Sequence, residues 1–199
     1  MSIKYTQTDI NQTYFCTFTC LDWLNLFSIT DLYDELYKWF NLLIQDNQQV
    51  VAFVIMPNHL HVLLHITKKD KTINTILANG KRFLAYEIVK HLEREGRFDI
   101  LKILSNAVRA EERKRKKKHR VFEVSSDIKV CLSEKFLLQK LNYIHSNPLR
   151  GKWLLADLPE NYPHSSACFY ELNKQHPKVK ITHYRDVIGS VSSPAGDDT

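Results

Sequence analysis

Apolar residues along this 199-residue chain follow two different periods, and the switches between them mark out the elements. Tyr14 to Cys20 (YFCTFTC) alternates aromatic, β-branched and small side chains, which predicts a strand. Leu32, Leu36, Trp39, Phe40 and Leu43 recur at helical spacing, behind Thr30 and Asp31 as candidate caps and ahead of a stop near Asp46 and Asn47. Val50 to Met56 (VVAFVIM) is apolar on both faces, as a central strand is. Pro57 and Asn58 break the run, and His59 to Ile66 (HLHVLLHI) alternates again, as a strand paired to the one before it. Thr72 to about Arg94 reads as a helix with Ile73, Ile76, Leu77, Phe83, Leu84 and Ile88 on its buried side. Val121 to Ser125 (VFEVS) predicts a short strand. Ser133 then opens a helix that runs to about Ser146 and is stopped by Pro148.

The order is strand, helix, strand, strand, helix, strand, helix. It predicts an α+β fold of the split βαβ, ferredoxin-like kind: an antiparallel sheet of four to five strands with helices packed on it. Residues 1–175 form one domain on this reading, with a basic insert at 109–120. Residues 176–199 form a polar tail, whose end, Ser190 to Thr199, reads as disordered. Composition changes little here: 44% hydrophobic and 25% charged residues lie in the globular range. No apolar run reaches 18 residues, and the N-terminus lacks a basic start followed by an apolar stretch. The expectation is therefore no membrane association and a cytoplasmic address. The four cysteines include no C-x-x-C pair, which argues against a thiolate zinc site; Cys16 and Cys20 read as small buried residues on one strand face.

Charge alters the picture more. The formal excess is +6, and Arg109 to Arg120 (RAEERKRKKKHR) alone holds eight Lys or Arg against two Glu. Such a run repels itself, so it is either a solvated, flexible connector or an arm that follows a phosphate backbone.

Candidate chemistry sits on two elements. Alternation along a strand puts Leu60, Val62, Leu64 and Ile66 on one wholly apolar face and His59, His61, Leu63 and His65 on the other. Imidazoles two residues apart, with Cα atoms roughly 7 Å from one another, can converge on one cation, and the packed face behind them keeps the platform rigid. Read alone, the pair is equally a set of ordinary surface histidines. No H-E-x-x-H and no adjoining acid points to a zinc hydrolase. On the helix ending at Ser146, Leu137, Leu141 and Ile144 form the apolar stripe, while Gln139, Tyr143 and Asn147 form a separate row about 120° away. Tyr143 alone could be a core-edge tyrosine with a wet hydroxyl. Asn147 precedes Pro148, and a residue before proline is pushed out of helical geometry, so its side chain is expected to leave the helix end at an altered angle.

Taken together, Met56-Pro57-Asn58-His59-Leu60-His61-Val62-Leu63-Leu64 and Tyr143-Ile144-His145-Ser146-Asn147-Pro148-Leu149-Arg150 resemble the single-tyrosine HUH transposases of bacterial insertion sequences, and among them the REP-associated branch (RAYT). Asn161-Tyr162-Pro163-His164-Ser165-Ser166 is a weaker match to that family's Tyr-x-x-Ser-Ser segment, and the likeness spans roughly residues 10 to 172. The resemblance implies His59 and His61 as ligands of Mg²⁺ or Mn²⁺, with Asn147 as the third ligand and Tyr143 as the nucleophile. It implies cleavage and rejoining of single-stranded or stem-loop DNA through a 5′-phosphotyrosine, without ATP, by a monomer or a homodimer. Lys81, Arg82, Arg113, Lys114, Arg115, Lys116, Lys117, Lys118 and Arg120 are candidates for contacts to the DNA backbone. Two other readings stand beside this one: a domesticated module that grips hairpin DNA or RNA without cutting, and a metal-dependent hydrolase that uses water.

Overall fold

A computed structural model describes residues 11–67, 71–151 and 154–188 of the chain. Strand β1 (Gln12–Thr19) leads through a short 3-10 turn and helix α1 (Leu26–Ile29) to α2 (Tyr33–Gln45). The hairpin β2 (Gln49–Met56) and β3 (His59–Ile66) follows. Helix α3 (Ile73–Arg94), α4 (Phe98–Asn106) and the short α5 (Ala110–Lys114) come next, then β4 (Asp127–Val130) and α6 (Glu134–Ser146). Helices α7 (Ala167–Leu172) and α8 (Tyr184–Ile188) end the described chain. The four strands form one sheet in the order β2-β3-β1-β4, antiparallel at every pairing. This is the split βαβ order expected from the sequence.

Helices cover both faces of the sheet. On one side the apolar face of β3 (Leu60, Val62, Leu64 and Ile66) and Cys16 and Phe18 of β1 meet α2 and α3, whose buried side chains include Leu36, Phe40, Ile76, Leu84 and Ile88. On the other side Phe15, Val54, Met56 and Leu63 meet Leu137, Leu141 and Ile144 of α6. Each of those α6 side chains contributes on the order of 2 kcal/mol by leaving water. Strand β3 is therefore buried along its whole length, histidines included. A bulge between Val50 and Ala52 switches the alternation of β2: Val50, Phe53 and Ile55 face α2 and α3, while Val51, Ala52, Val54 and Met56 face α6.

Four sequence expectations change. Strand β2 is at the sheet edge rather than its centre. It reads as central because its outer edge is covered: Ile55 N–H donates to His164 O (2.8 Å), Ser166 N–H to Phe53 O (3.0 Å) and Thr182 N–H to Val50 O (2.9 Å). The Tyr162 hydroxyl adds a bond to Ile55 O (2.8 Å), so the Tyr-x-x-Ser-Ser segment acts as a clamp along that edge. Residues 176–188 of the expected tail accordingly pack on the domain, with Val179, Ile181 and Val187 buried; Ser190 to Thr199 lie outside the described residues. The strand expected at Val121 to Ser125 is reduced to one bridge, Phe122 opposite Cys20, and regular pairing begins only at Asp127. The Lys81 ammonium takes the Glu123 and Val124 carbonyls (2.6 and 3.4 Å) that a ladder would need. At the start of α2, Thr30 and Asp31 do not cap; the Thr30 hydroxyl instead donates back to Leu26 O (2.6 Å), extending the turn of α1.

Candidate active site

The tight Pro57-Asn58 turn delivers His59 to the first position of β3, and His61 follows two residues later on the same face. Their rings lie 4.8 Å apart, centre to centre. Each Nδ1 is already engaged. His59 Nδ1 is 2.7 Å from Asn58 Oδ1. Asn58 Nδ2 donates to Trp23 O (2.9 Å), which leaves its amide oxygen facing the imidazole, so Nδ1 of His59 carries the proton. His61 Nδ1 is 2.7 Å from the hydroxyl of Thr17, its direct partner across the β1–β3 ladder. The Nε2 atoms are the nitrogens left for a ligand, each ring being oriented from behind in the manner of metal-binding histidines.

Helix α6 brings the tyrosine to this pair. Ser133 caps it, accepting from Phe136 N (3.3 Å), and Leu137, Leu141 and Ile144 hold it on the sheet. His145, buried beside them, bonds Ser166 Oγ through Nε2 (2.9 Å), and Ser166 in turn bonds the Phe53 backbone, so the helix is tied to β2. Tyr143 then lies with its ring 5.0 Å from that of His61, edge to face, and with 39% of its surface exposed. Phe15 packs under both, 5.6 Å from His61 and 6.0 Å from Tyr143. The Lys140 ammonium, one turn before Tyr143, sits 4.9, 5.1 and 5.6 Å from the ring centres of Phe15, Phe136 and Tyr143.

Asn147 is where the sequence expectation fails most usefully. It keeps helical dihedrals (φ −60°, ψ −43°) despite the proline that follows. The chain runs on into a 3-10 turn, Asn147–Leu149, with Pro148 in the first turn, where no N–H is demanded. The Asn147 side chain thus stays one turn beyond Tyr143 and interacts with the His59 imidazole, favouring its protonated form. Burial outweighs that influence and lowers His59 to about 4. Burial lowers His61 to about 3, helped by the positive charges of His59 and Lys140. Both imidazoles are neutral at pH 7, the state in which they can bind a metal. Two neutral imidazoles and an amide fit a divalent cation that keeps open positions for phosphate oxygen and water. Among the described residues no group of three or more His, Cys, Asp or Glu side chains is gathered, at this pair or elsewhere, so a third ligand here would have to be the Asn147 amide. His65, the third histidine of the strand, is apart from the cluster and bonds Thr13 Oγ1 (3.0 Å).

No family model and no curated protein matches the sequence. Solved structures do. The structure of a REP-associated tyrosine transposase bound to a REP hairpin aligns over 100% of this chain and 98% of its own, with a TM-score of 0.55 at 13% identity. This chain has the REP-associated tyrosine transposase fold. A second solved chain, assigned as a transposase from Deinococcus radiodurans R1, covers 71% of this chain and 95% of its own at 15% identity, with a TM-score of 0.37 that carries no weight.

On this transposase fold the cationic candidates divide. The basic insert is folded, not a flexible connector. Arg113 bonds the carbonyls of Val108 (3.2 Å) and Ser105 (2.8 Å) at the end of α4, and Lys117 pairs with Glu112 (2.7 Å). These bonds offset the repulsion within the run. Arg120 is buried in the groove wall, its backbone N–H bonded to Leu104 O (2.9 Å) and its guanidinium near Ala107 O, with Nε left without a hydrogen-bond partner among the described residues. Lys81 is committed to the 123–126 loop, and burial, then the nearby Lys117 charge, lowers it to about 8. Arg82, Arg115, Lys116, Lys117 and Lys118 line one groove, whereas Arg113 and Lys114 do not. Sequence reasoning missed Asn58, Thr17 and Lys140 around the histidines. Asn58 lies inside the motif itself and Lys140 one turn from the tyrosine; Thr17 becomes visible only once the register of β1 on β3 is known.

Proposed function

We propose that this chain is a metal-dependent tyrosine endonuclease and strand-transferase that cuts and rejoins single-stranded or stem-loop DNA. The observation that carries the reading is the convergence, within one chain, of the Tyr143 ring on His61 and the Asn147 side chain on His59. The fold shared with a transposase that was solved on a REP hairpin agrees with it.

The chemistry follows from the residues. The Tyr143 oxygen attacks the phosphorus of a phosphodiester, and the bond to the 3′-oxygen breaks. The phenolic proton is lost, the departing strand gains one as its 3′-hydroxyl, and a 5′-phosphotyrosine remains. The phosphoester energy is conserved, so attack by another 3′-hydroxyl reverses the step and joins strands without ATP. His59, His61 and Asn147 would hold Mg²⁺ or Mn²⁺, which supplies charge withdrawal from a non-bridging phosphate oxygen and fixes its orientation. Phe15 and the His61 ring hold the tyrosine ring in place, and Lys140 puts a cation over the face of that ring, where it would favour the negative charge of the attacking oxygen. One chain supplies the whole set on this reading, so a monomer suffices.

Incubation with a stem-loop oligonucleotide and Mn²⁺ should give a covalent protein–DNA adduct, visible as a shifted band under denaturing conditions. Tyr143→Phe should abolish it. An adduct that persists in Tyr143→Phe refutes the nucleophile. Tight binding with no cleavage over long incubation would instead identify a hairpin-binding module, and cleavage without a protein-linked product would identify a hydrolase.

A further inference from the structure

A groove of about 840 Å³ runs between the outward face of α3 and the loop that follows α5, and the chemistry described above does not use it. Its volume is in the range of clefts that enclose a ligand, ~300–1,000 Å³. One wall is the α3 face that carries Arg82, Tyr86 and Val89, with Tyr86 71% exposed at the rim. The facing wall carries Arg115, Lys116 and Lys118, none of which has a carboxylate partner among the described residues. Seven cationic side chains against three carboxylates line the whole, and one of those carboxylates, Glu112, is taken up by Lys117.

We propose that this groove is a second nucleic-acid site, which holds an unpaired nucleotide of the substrate on Tyr86 and its flanking phosphates on Arg82, Arg115, Lys116 and Lys118. The proposal deepens the DNA-cleavage reading and rests on it for the identity of the strand. Alternation of an exposed ring and small apolar surface with free cations matches the repeat of base and phosphate in a single strand. An acidic peptide would use the cations and leave the ring without a role. The position of the groove also favours a strand. Its wall includes Glu123, whose carboxylate accepts from Asp22 N (3.0 Å). The next residue, Trp23, is 61% exposed and its ring is 5.7 Å from that of His59. A short stretch of surface thus joins the groove to the histidine pair past an exposed indole, and one strand can occupy both. The groove lies on the α3 side of the sheet and the tyrosine on the α6 side, so the strand would turn around the end of β1.

The test is fluorescence anisotropy on the full chain without divalent metal, with a labelled stem-loop carrying an unpaired flank. Tyr86→Ala should bind about tenfold more weakly, and should bind a blunt, fully paired hairpin as well as the wild type does. Lys116→Ala/Lys118→Ala should flatten the slope of log affinity against log salt by about 1.4, the value for two lost single-strand phosphate contacts. Both substitutions are at exposed positions, so folding is not at risk; circular dichroism checks this. Undiminished affinity in Tyr86→Ala, an unchanged salt slope, or equal competition by polyglutamate would overturn the proposal. The readout needs neither metal nor Tyr143. Weakened binding in Tyr86→Ala with no adduct from the wild type would keep the groove and sink the transesterification; a wild-type adduct with no groove effect would do the reverse.

Discussion

His59 and His61 owe their usefulness to what sits behind them. The Asn58 amide is locked by Trp23 O, so it presents an acceptor to His59 Nδ1 and fixes the tautomer that leaves Nε2 unprotonated. Asn58→Ala should lower Mn²⁺ affinity by about 10–100-fold, as loss of an orienting partner commonly does. A metal titration followed by the rise in thermal midpoint would read this, and an unchanged midpoint curve would remove Asn58 from the site. Lys140 makes a second residue-scale case. Its ammonium faces three rings and, among the described residues, no carboxylate pairs with it, so its charge is directed at the site. Lys140→Met keeps the length and the ring packing but removes the cation. Adduct formation should slow by roughly tenfold, and a rate equal to wild type would show that the charge is idle. The histidine pair and Tyr143 were legible in the sequence because each belongs to a short contiguous motif. Thr17 was not, because a cross-strand partner is fixed by register, forty-four positions away in the chain. Only the backbone of Asn147 was misjudged, because the rule for residues before proline gives way where a helix tightens into a 3-10 turn.

At the scale of elements, the three long helices α2, α3 and α6 were read nearly to their ends, since a stripe such as Ile73, Ile76, Leu77, Leu84 and Ile88 states both the period and the buried face, whereas the short α1, α4, α5, α7 and α8 carry too few turns to state either and were not read. The strands were harder. An apolar run like that of β2 says that both faces are covered, but not whether the flanking strand is a strand or, as here, the loop 163–166. Gly80 shows a related blind spot. It sits in the interior of α3, where alanine would ordinarily be favoured by ~1 kcal/mol. A Cβ there would come about 2.5 Å from Trp39 Cε2, so glycine is what lets α2 and α3 approach. Gly80→Ala should therefore destabilise the fold, by about 1–3 kcal/mol as overpacking does, despite its better propensity. Urea denaturation would measure it, and a stabilised variant would mean that Trp39 moves freely. Since α3 carries one wall of the basic groove, the same variant should also weaken DNA binding.

For the whole molecule, packing helices on both faces of one sheet buries histidines in several places at once, and this gives stability a definite pH dependence. Burial lowers His59 and His145 to about 4 and His61 to about 3, and it also lowers His65, His164 and His176. In the unfolded chain each would titrate near 6.5. Above that value both states are neutral and the fold keeps its full stability. Below it the unfolded chain takes up protons that the folded chain refuses until pH is near 4 or lower, so stability is lost as pH falls. His59, His61 and His145 alone give a slope near pH 5 of about 4 kcal/mol per pH unit, to which the other three add. Urea midpoints measured in EDTA at pH 7.5, 6.0 and 5.0 should fall steeply below 6.5, and a flat profile would mean that water reaches these rings. Excess Mn²⁺ should separate the two kinds of histidine. A cation bound by His59 and His61 adds stability at pH 7.5 through mass action, and because both imidazoles stay neutral in the folded chain until pH is near 4, that addition should persist at pH 5.0 and fall away only below it. His61→Ala should remove the metal-dependent part and leave the contribution of His145, which is bonded to Ser166 and is not a ligand.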